Sequence, residues 1–205
     1  MNDSKLAELA QMITGWPGLV SAPAADLIED SLVLAAGLEG AQTVIDVGSG
    51  GGLPGLPLKL AVPHLQLTLL EADTRKASFL VQACARLELR DVEVVNRRAE
   101  EAAHDPKLRE HFDAAVARAL ADLPVLAELC LPFVRIGGRL LAQKTRGVDL
   151  GLAERAIRLT GGGDASVVDA PSKLRSQGAI VIVHKLRPTP PEYPRRPGVP
   201  ARKPL

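Results

Sequence analysis

The sequence predicts an α/β fold: a mostly parallel sheet covered by helices on both faces, a terminal antiparallel hairpin, and a small helical extension at the N-terminus. Three observations predict it. Short apolar runs recur at 43–47, 67–71, 92–95, 112–117 and 139–143, and strands lacking a polar face are those of a parallel sheet buried on both sides. Segments of helical period separate most of these runs. The last two runs, 167–169 and 180–185, are separated by glycine-containing chain with little helical pattern, which fits a hairpin.

The elements follow in order. Leu6, Leu9, Ala10 and Ile13 fall at helical spacing over 4–14, with Ser4 as the expected cap. Trp16-Pro17-Gly18 ends that helix. A second helix is expected from about Ala24 to Leu38, ending near Gly40. Thr43–Val47 then reads as a buried strand and leads into the glycine run 48–52. Pro54–Leu60 starts a short helix, with proline tolerated in its first turn. Leu67–Glu71 is a strand, Thr74–Leu87 a helix, Val92–Val95 and Phe112–Ala117 strands, and Asp122–Val134 a helix. Gly137-Gly138 turns into the strand Arg139–Gln143, and 150–159 reads as helical. Val167–Asp169 and Ile180–Lys185 are late strands. Pro188–Leu205, rich in proline and arginine, is expected to be extended or loosely docked. The expected organisation is thus an extension at 1–40, a main domain at 41–187 and a basic tail at 188–205. No internal repeat is present.

Composition narrows the function. A chain of 205 residues with 46% hydrophobic and 24% charged residues can bury one sizeable core. Aromatics are only 2%, which weighs against RNA-binding platforms built on stacked rings. The total charge is +1, but residues 185–205 carry Lys185, Arg187, Arg195, Arg196, Arg202 and Lys203 against Glu192. A basic tail on a slightly acidic body suggests a polyanionic partner. Cys84 and Cys130 form no disulfide framework, and both fall on apolar helical faces as core residues. His64, His104, His111 and His184 lack metal-ligand spacing, so no metal is expected. Without a signal peptide or an apolar run long enough to span a bilayer, a reduced, cytoplasmic, monomeric protein is expected.

The chemistry lies in Asp46-Val47-Gly48-Ser49-Gly50-Gly51-Gly52, between a strand and a helix. Glycines there let the backbone turn sharply and approach a ligand closely. Gly50, Gly52 and Gly55 also satisfy G-x-G-x-x-G, which keeps an NAD-dependent oxidoreductase as an alternative. Three acids point elsewhere. Asp46 precedes the loop, Glu71 ends the next strand as a ribose partner, and Glu100 follows the third strand. Acids at successive strand ends around a glycine loop are the pattern of S-adenosylmethionine (AdoMet) methyltransferases with a Rossmann-like fold. Asp46, Gly48, Gly50, Gly52 and Glu71 are therefore candidate cofactor residues.

A more specific resemblance runs through Ile45–Leu58, with Leu53-Pro54-Gly55 as its most distinctive part. It continues through Leu70–Leu80, Arg98-Ala99-Glu100, Phe112–Ala119, Gly137–Lys144 and Tyr193–Gly198. Together these segments resemble the RsmG (GidB) family, whose members methylate N7 of a guanine in the 530 loop of 16S rRNA. The resemblance implies AdoMet as cofactor and 16S rRNA or the small ribosomal subunit as partner. It implies that Gly48 and Leu53 line the AdoMet pocket, that Ala99 and Glu100 meet the adenine, and that Arg118 lies near the methionine part or the RNA. Arg118 and Lys144 are positioning candidates, and Lys144, Arg195 and Arg196 are candidate RNA contacts. Trp16–Ser21, Leu27–Ser31 and Lys144-Thr145-Arg146-Gly147 depart from the family's pattern, and the N-terminal segment looks short.

Guanine N7 carries an in-plane lone pair and no proton. The implied reaction needs no general base and no covalent cysteine adduct, so no catalytic residue is assigned. In-line placement and water exclusion carry it. A non-catalytic RNA-binding assembly factor is the remaining alternative.

Overall fold

The structure, a computed structural model, describes residues 3–20 and 22–205. Ser21, in the divergent N-terminal stretch, lies outside the described residues. Seven strands form one sheet: β1 (Thr43–Val47), β2 (Gln66–Leu70), β3 (Val92–Val95), β4 (Phe112–Arg118), β5 (Val134–Thr145), β6 (Gly162–Asp169) and β7 (Gly178–Lys185). Their order is β3-β2-β1-β4-β5-β7-β6. The first five are parallel, and β7 is antiparallel to both β5 and β6. This is the mostly parallel sheet with a terminal hairpin that the apolar runs predict.

Alternation along each strand builds two cores. Val44, Ala114, Val116 and Leu141 face one side, while Ile45, Ala115, Ala117, Leu140 and Ala142 face the other. The first side is covered by α1 (Asp3–Gly15), α2 (Ala24–Leu32), α3 (Gly55–Ala61) and α4 (Thr74–Arg86). The second is covered by α5 (Ala99–Ala102), α6 (Leu123–Cys130) and α7 (Glu154–Leu159). Leu9, Ile13, Leu27 and Ile28 of the N-terminal helices share one cluster with Leu56, Leu69 and Phe79. The extension is thereby part of the main core.

Differences from the sequence reading are local. Helix α1 begins at Asp3 among the described residues, so Ser4 sits within its first turn and not ahead of it. Helix α2 stops at Leu32, and a 3-10 turn at Ala35–Leu38 carries the chain on, with Leu34 and Leu38 both buried. Tight 3-10 turns commonly close helices in this way. The helix expected to reach Val134 ends at Cys130, because Pro132 has no N–H to continue it; a 3-10 turn at Leu131–Phe133 follows. Strand β5 then starts early, and its register against β4 shifts between Phe112 and Ala114. Gly138 sits at this irregularity, where a Cβ would lie 2.6 Å from the Asp113 carbonyl. Strand β6 is longer than its apolar run because it is a largely exposed edge strand with little need of apolar residues.

The tail differs most. Residues 188–205 are docked on the domain and include a short helix, α8 (Val199–Arg202). Arg109 holds the carbonyls of Thr189, Pro190 and Tyr193 at 2.8–3.0 Å. Among the described residues, no helix is long and apolar enough to cross a membrane.

Candidate functional site

The chain reverses its winding at β1, which lies between β2 and β4. In open α/β sheets such a switch point leaves a crevice at the carboxyl ends of the strands. Here the crevice holds a cavity of about 450 Å³. Gly48, Gly50, Leu53, Glu71, Ala99, Glu100 and Arg118, all singled out in the sequence, line it together.

The glycine loop is held from below and beside. Gly48 N–H and Ser49 N–H both donate to the Leu70 carbonyl, at 2.8 and 3.0 Å. Gly48 has φ +75°, and a Cβ there would lie 2.6 Å from Leu120 Cδ1. Glu71 accepts from Gly50 N–H at 2.7 Å through Oε2 and from Asp73 N–H at 2.8 Å through Oε1. It therefore ties the loop to the start of α4, which Asp73 caps by accepting from Lys76 N–H at 3.0 Å. Each carboxylate oxygen keeps a further lone pair.

Asp46 and Gly52 do not line the cavity. Asp46 is fully buried beneath the loop; its Oδ2 accepts from Gly55 N–H at 2.9 Å and its Oδ1 has no partner. Burial pushes its carboxyl up to about 7, against the opposing effects of the Gly55 bond and the Arg118 charge. Glu100 is 5% exposed. Burial raises its pKa, but the Gly198 amide and Arg98 outweigh that and hold it below the usual carboxylate range.

Arg118 divides this cavity from a second of about 810 Å³. The second cavity is lined by Leu27, Asp30, Gln143, Lys144, Leu174 and Arg175, among others, and shares Leu19, Val20 and Ala119 with the first. Asp30 is 1% exposed, accepts from Arg175 Nε at 2.9 and 3.1 Å, and lies 3.7 Å from Arg118 Nη1. Gln143 donates through Nε2 to the Asp30 carbonyl. Arg118 Nε, Gln143 Oε1 and Arg175 Nη2 are buried without partners. Burial lowers the Arg118 and Lys144 pKa values, opposed chiefly by Asp30 and Asp122 respectively. Lys144 Nζ donates to the carbonyl of Ala121, a residue of the first cavity's wall.

The two tail arginines part company. Arg196 is exposed, whereas Arg195 is paired with the buried Glu128 on α6. Both are expected as RNA contacts, and this is corrected for Arg195, which instead directs Nε and Nη2 to a buried carboxylate that the sequence does not reveal as near. Sequence reasoning also missed Leu19, Val20, Leu120, Val125, Leu129, Pro200 and Ala201 as cavity wall. They are apolar or small, and only chain placement brings them there.

The profile of the GidB family, described as rRNA small subunit methyltransferase G, matches residues 23–173. The Moorella thermoacetica ribosomal RNA small subunit methyltransferase G is 45% identical over 184 residues, covering 86% of this chain and 75% of that protein. The Dehalococcoides mccartyi protein of the same name is 44% identical over 179 residues, covering 85% and 75%. Among solved structures, an O-methyltransferase from Bacillus cereus in complex with SAH superposes with a TM-score of 0.60 at 19% identity, covering 90% of this chain and 92% of that one. The structural likeness establishes the shared fold, and the sequence matches establish kinship: this chain belongs to the rRNA small subunit methyltransferase G family.

Proposed function

We propose that the chain is an AdoMet-dependent methyltransferase that acts in the cytoplasm, as a monomer, on N7 of a guanine in the 530 loop of 16S rRNA. The observation that carries this is the pair of adjoining cavities with Arg118 in both linings, one walled by the glycine loop and the strand-end acids and the other beside it; the first is read as the cofactor's and the second as the base's. The residues present fit AdoMet. A loop at positive φ brings main chain to the cavity surface, Glu71 and Glu100 offer carboxylate acceptors, and Leu53, Ala99 and Leu120 supply apolar wall. When bound, AdoMet supplies a methyl group on a cationic sulfur.

The chain's own residues then orient and exclude water. Buried Arg118 Nε and Gln143 Oε1 leave a donor and an acceptor unfilled beside the second cavity, a polarity suited to a purine edge. Leu19, Val20 and Leu27 supply the apolar side against which a flipped base can lie. N7 attacks directly, so no side chain needs to remove a proton. Positioning of this kind is worth on the order of 7–11 kcal/mol of a barrier. Lys144, in the second cavity's wall, and the exposed Arg196 take RNA contacts.

The cysteines fit no covalent role: Cys130 is fully buried, and burial pushes the Cys84 thiol up to about 11. The NAD alternative is disfavoured by the family match and by Gly52, the glycine that would approach a pyrophosphate, lying off the cavity. Incubation with labelled AdoMet and small subunits from cells lacking the enzyme, followed by mapping of the methylated base, tests the proposal. Label at one guanine N7 is the expected outcome. AdoHcy binding without transfer to any ribosomal RNA would instead favour the non-catalytic assembly factor.

A further inference from the structure

The C-terminal segment returns to the crevice after β7. His104 Nε2 lies 2.9 Å from the Pro194 carbonyl. Arg195 then makes two parallel bonds to Glu128, Nε to Oε1 at 2.8 Å and Nη2 to Oε2 at 2.6 Å, and its own N–H adds a third to Oε1 at 2.8 Å. Glu128 is fully buried on α6, the helix whose Val125 and Leu129 stand in the cofactor cavity's wall. Three residues on, Gly198 N–H donates to Glu100 Oε1 at 2.9 Å. Pro200 and Ala201 then join Ala99 and Glu100 in the same wall.

A guanidinium reserved for RNA would present its donors to solvent. Arg195 is 26% exposed at its side chain and directs Nε and Nη2 to Glu128 and the Lys203 carbonyl. The planar fork matches a carboxylate in two places at once, which an ammonium cannot do. Without it, Glu128 keeps only the Arg195 backbone amide, and the strap beyond loses its fixed point.

We propose that the strap 195–201 sets Pro200 and Ala201 as a wall of the cofactor pocket and that Arg195 is a positioning residue, latching that strap through Glu128. The tail thereby governs cofactor retention through Arg195, and its neighbour Arg196 is left to the RNA. The inference rests on the crevice being the AdoMet pocket.

Calorimetric titration of AdoHcy into the full chain, with kcat and KM for AdoMet on small-subunit RNA, tests it. Arg195→Ala should raise the AdoHcy Kd and the AdoMet KM together by about tenfold or more, with kcat at saturating AdoMet within about twofold. Arg195→Lys should recover part of the affinity, and Arg196→Ala should keep it within about twofold. Should Arg195→Ala fail to fold, Arg195→Lys carries the latch test, since it loses the two-point fork and should still weaken AdoHcy by more than about twofold; Ala201→Trp tests the wall separately, at an exposed position outside the latch. Its ring should cut AdoHcy affinity by about tenfold or more. The latch is overturned if folded Arg195→Ala binds AdoHcy within about twofold of the parent. The wall assignment is overturned if Ala201→Trp does so. A parent protein with no measurable AdoHcy binding would instead overturn the pocket reading on which both depend.

Discussion

At Gly48 two independent constraints meet: a left-handed φ of +75° and a Cβ direction that ends 2.6 Å from Leu120 Cδ1. Gly48→Val should therefore cost about 1–3 kcal/mol of stability through backbone strain. It should also remove measurable AdoHcy binding, since the new side chain meets Leu120, and both positions line the cavity. Near-parental affinity by calorimetry would sink the loop's assignment. Asp46 makes a second prediction. Its carboxyl is raised from 3.8 to about 7, so the folded state holds the proton more tightly than the unfolded chain. The stability this contributes is full below pH 3.8 and is lost as pH rises through 7. The difference is on the order of 4 kcal/mol. Asp46→Asn, neutral at every pH, should lack this dependence. In urea titrations from pH 4 to 8 the variant should gain stability relative to the parent as pH rises. Parallel curves would show that Asp46 does not carry the proton. Asp46 was legible as an important acid; its place under the loop instead of on the cavity was not, because neighbouring positions along β1 face opposite sides of the sheet.

Among the elements, the connection between β6 and β7 does more than close a hairpin. Arg175 within it reaches Asp30 of α2 and the Lys144 carbonyl at the end of β5. One ion pair thus ties the N-terminal helices, the central sheet and the terminal hairpin around the second cavity. Removing one partner of a buried pair leaves the other charge stranded. Arg175→Ala should cost about 3 kcal/mol in chemical denaturation, and methyl transfer should fall more than AdoHcy binding. A stability change near zero would mean that Arg118 and Ser172 alone satisfy Asp30. The sequence shows the helix around Asp30 and the turn around Arg175 clearly enough. Their pairing, 145 residues apart, carries no local signal.

For the whole molecule, the tail's charge is smaller in effect than in count. Lys185 is fully buried against Glu110 and Thr189, and Arg195 is paired with Glu128. Arg187, Arg196, Arg202 and Lys203 are exposed. RNA affinity should therefore depend on salt through those exposed cations. Removing one cation that pairs with a single-strand phosphate flattens the slope of log K against log salt by about 0.7. Arg196→Ala should do so by that amount while leaving AdoHcy affinity unchanged. An unchanged slope would remove Arg196 from the interface.

Whatever repeats locally or is chemically costly to replace was readable from the chain alone. Strand periodicity, the glycine loop with its preceding acid, the acids after the next two strands and the extended family signature all specify an AdoMet-type crevice at the edge of β1. Folding alone settles which distant surfaces close that crevice. Leu19 and Val20 come from before α2, Leu120 from after β4, and Pro200 and Ala201 from the tail. They serve by shape and apolarity, which many residues supply, so no composition or spacing marks them. Arg195 is the clearest case: by sequence a cation in a basic tail, by fold the partner of a buried carboxylate. A charge is free to bind RNA only if no desolvated opposite charge claims it first, and burial is a property of the folded chain.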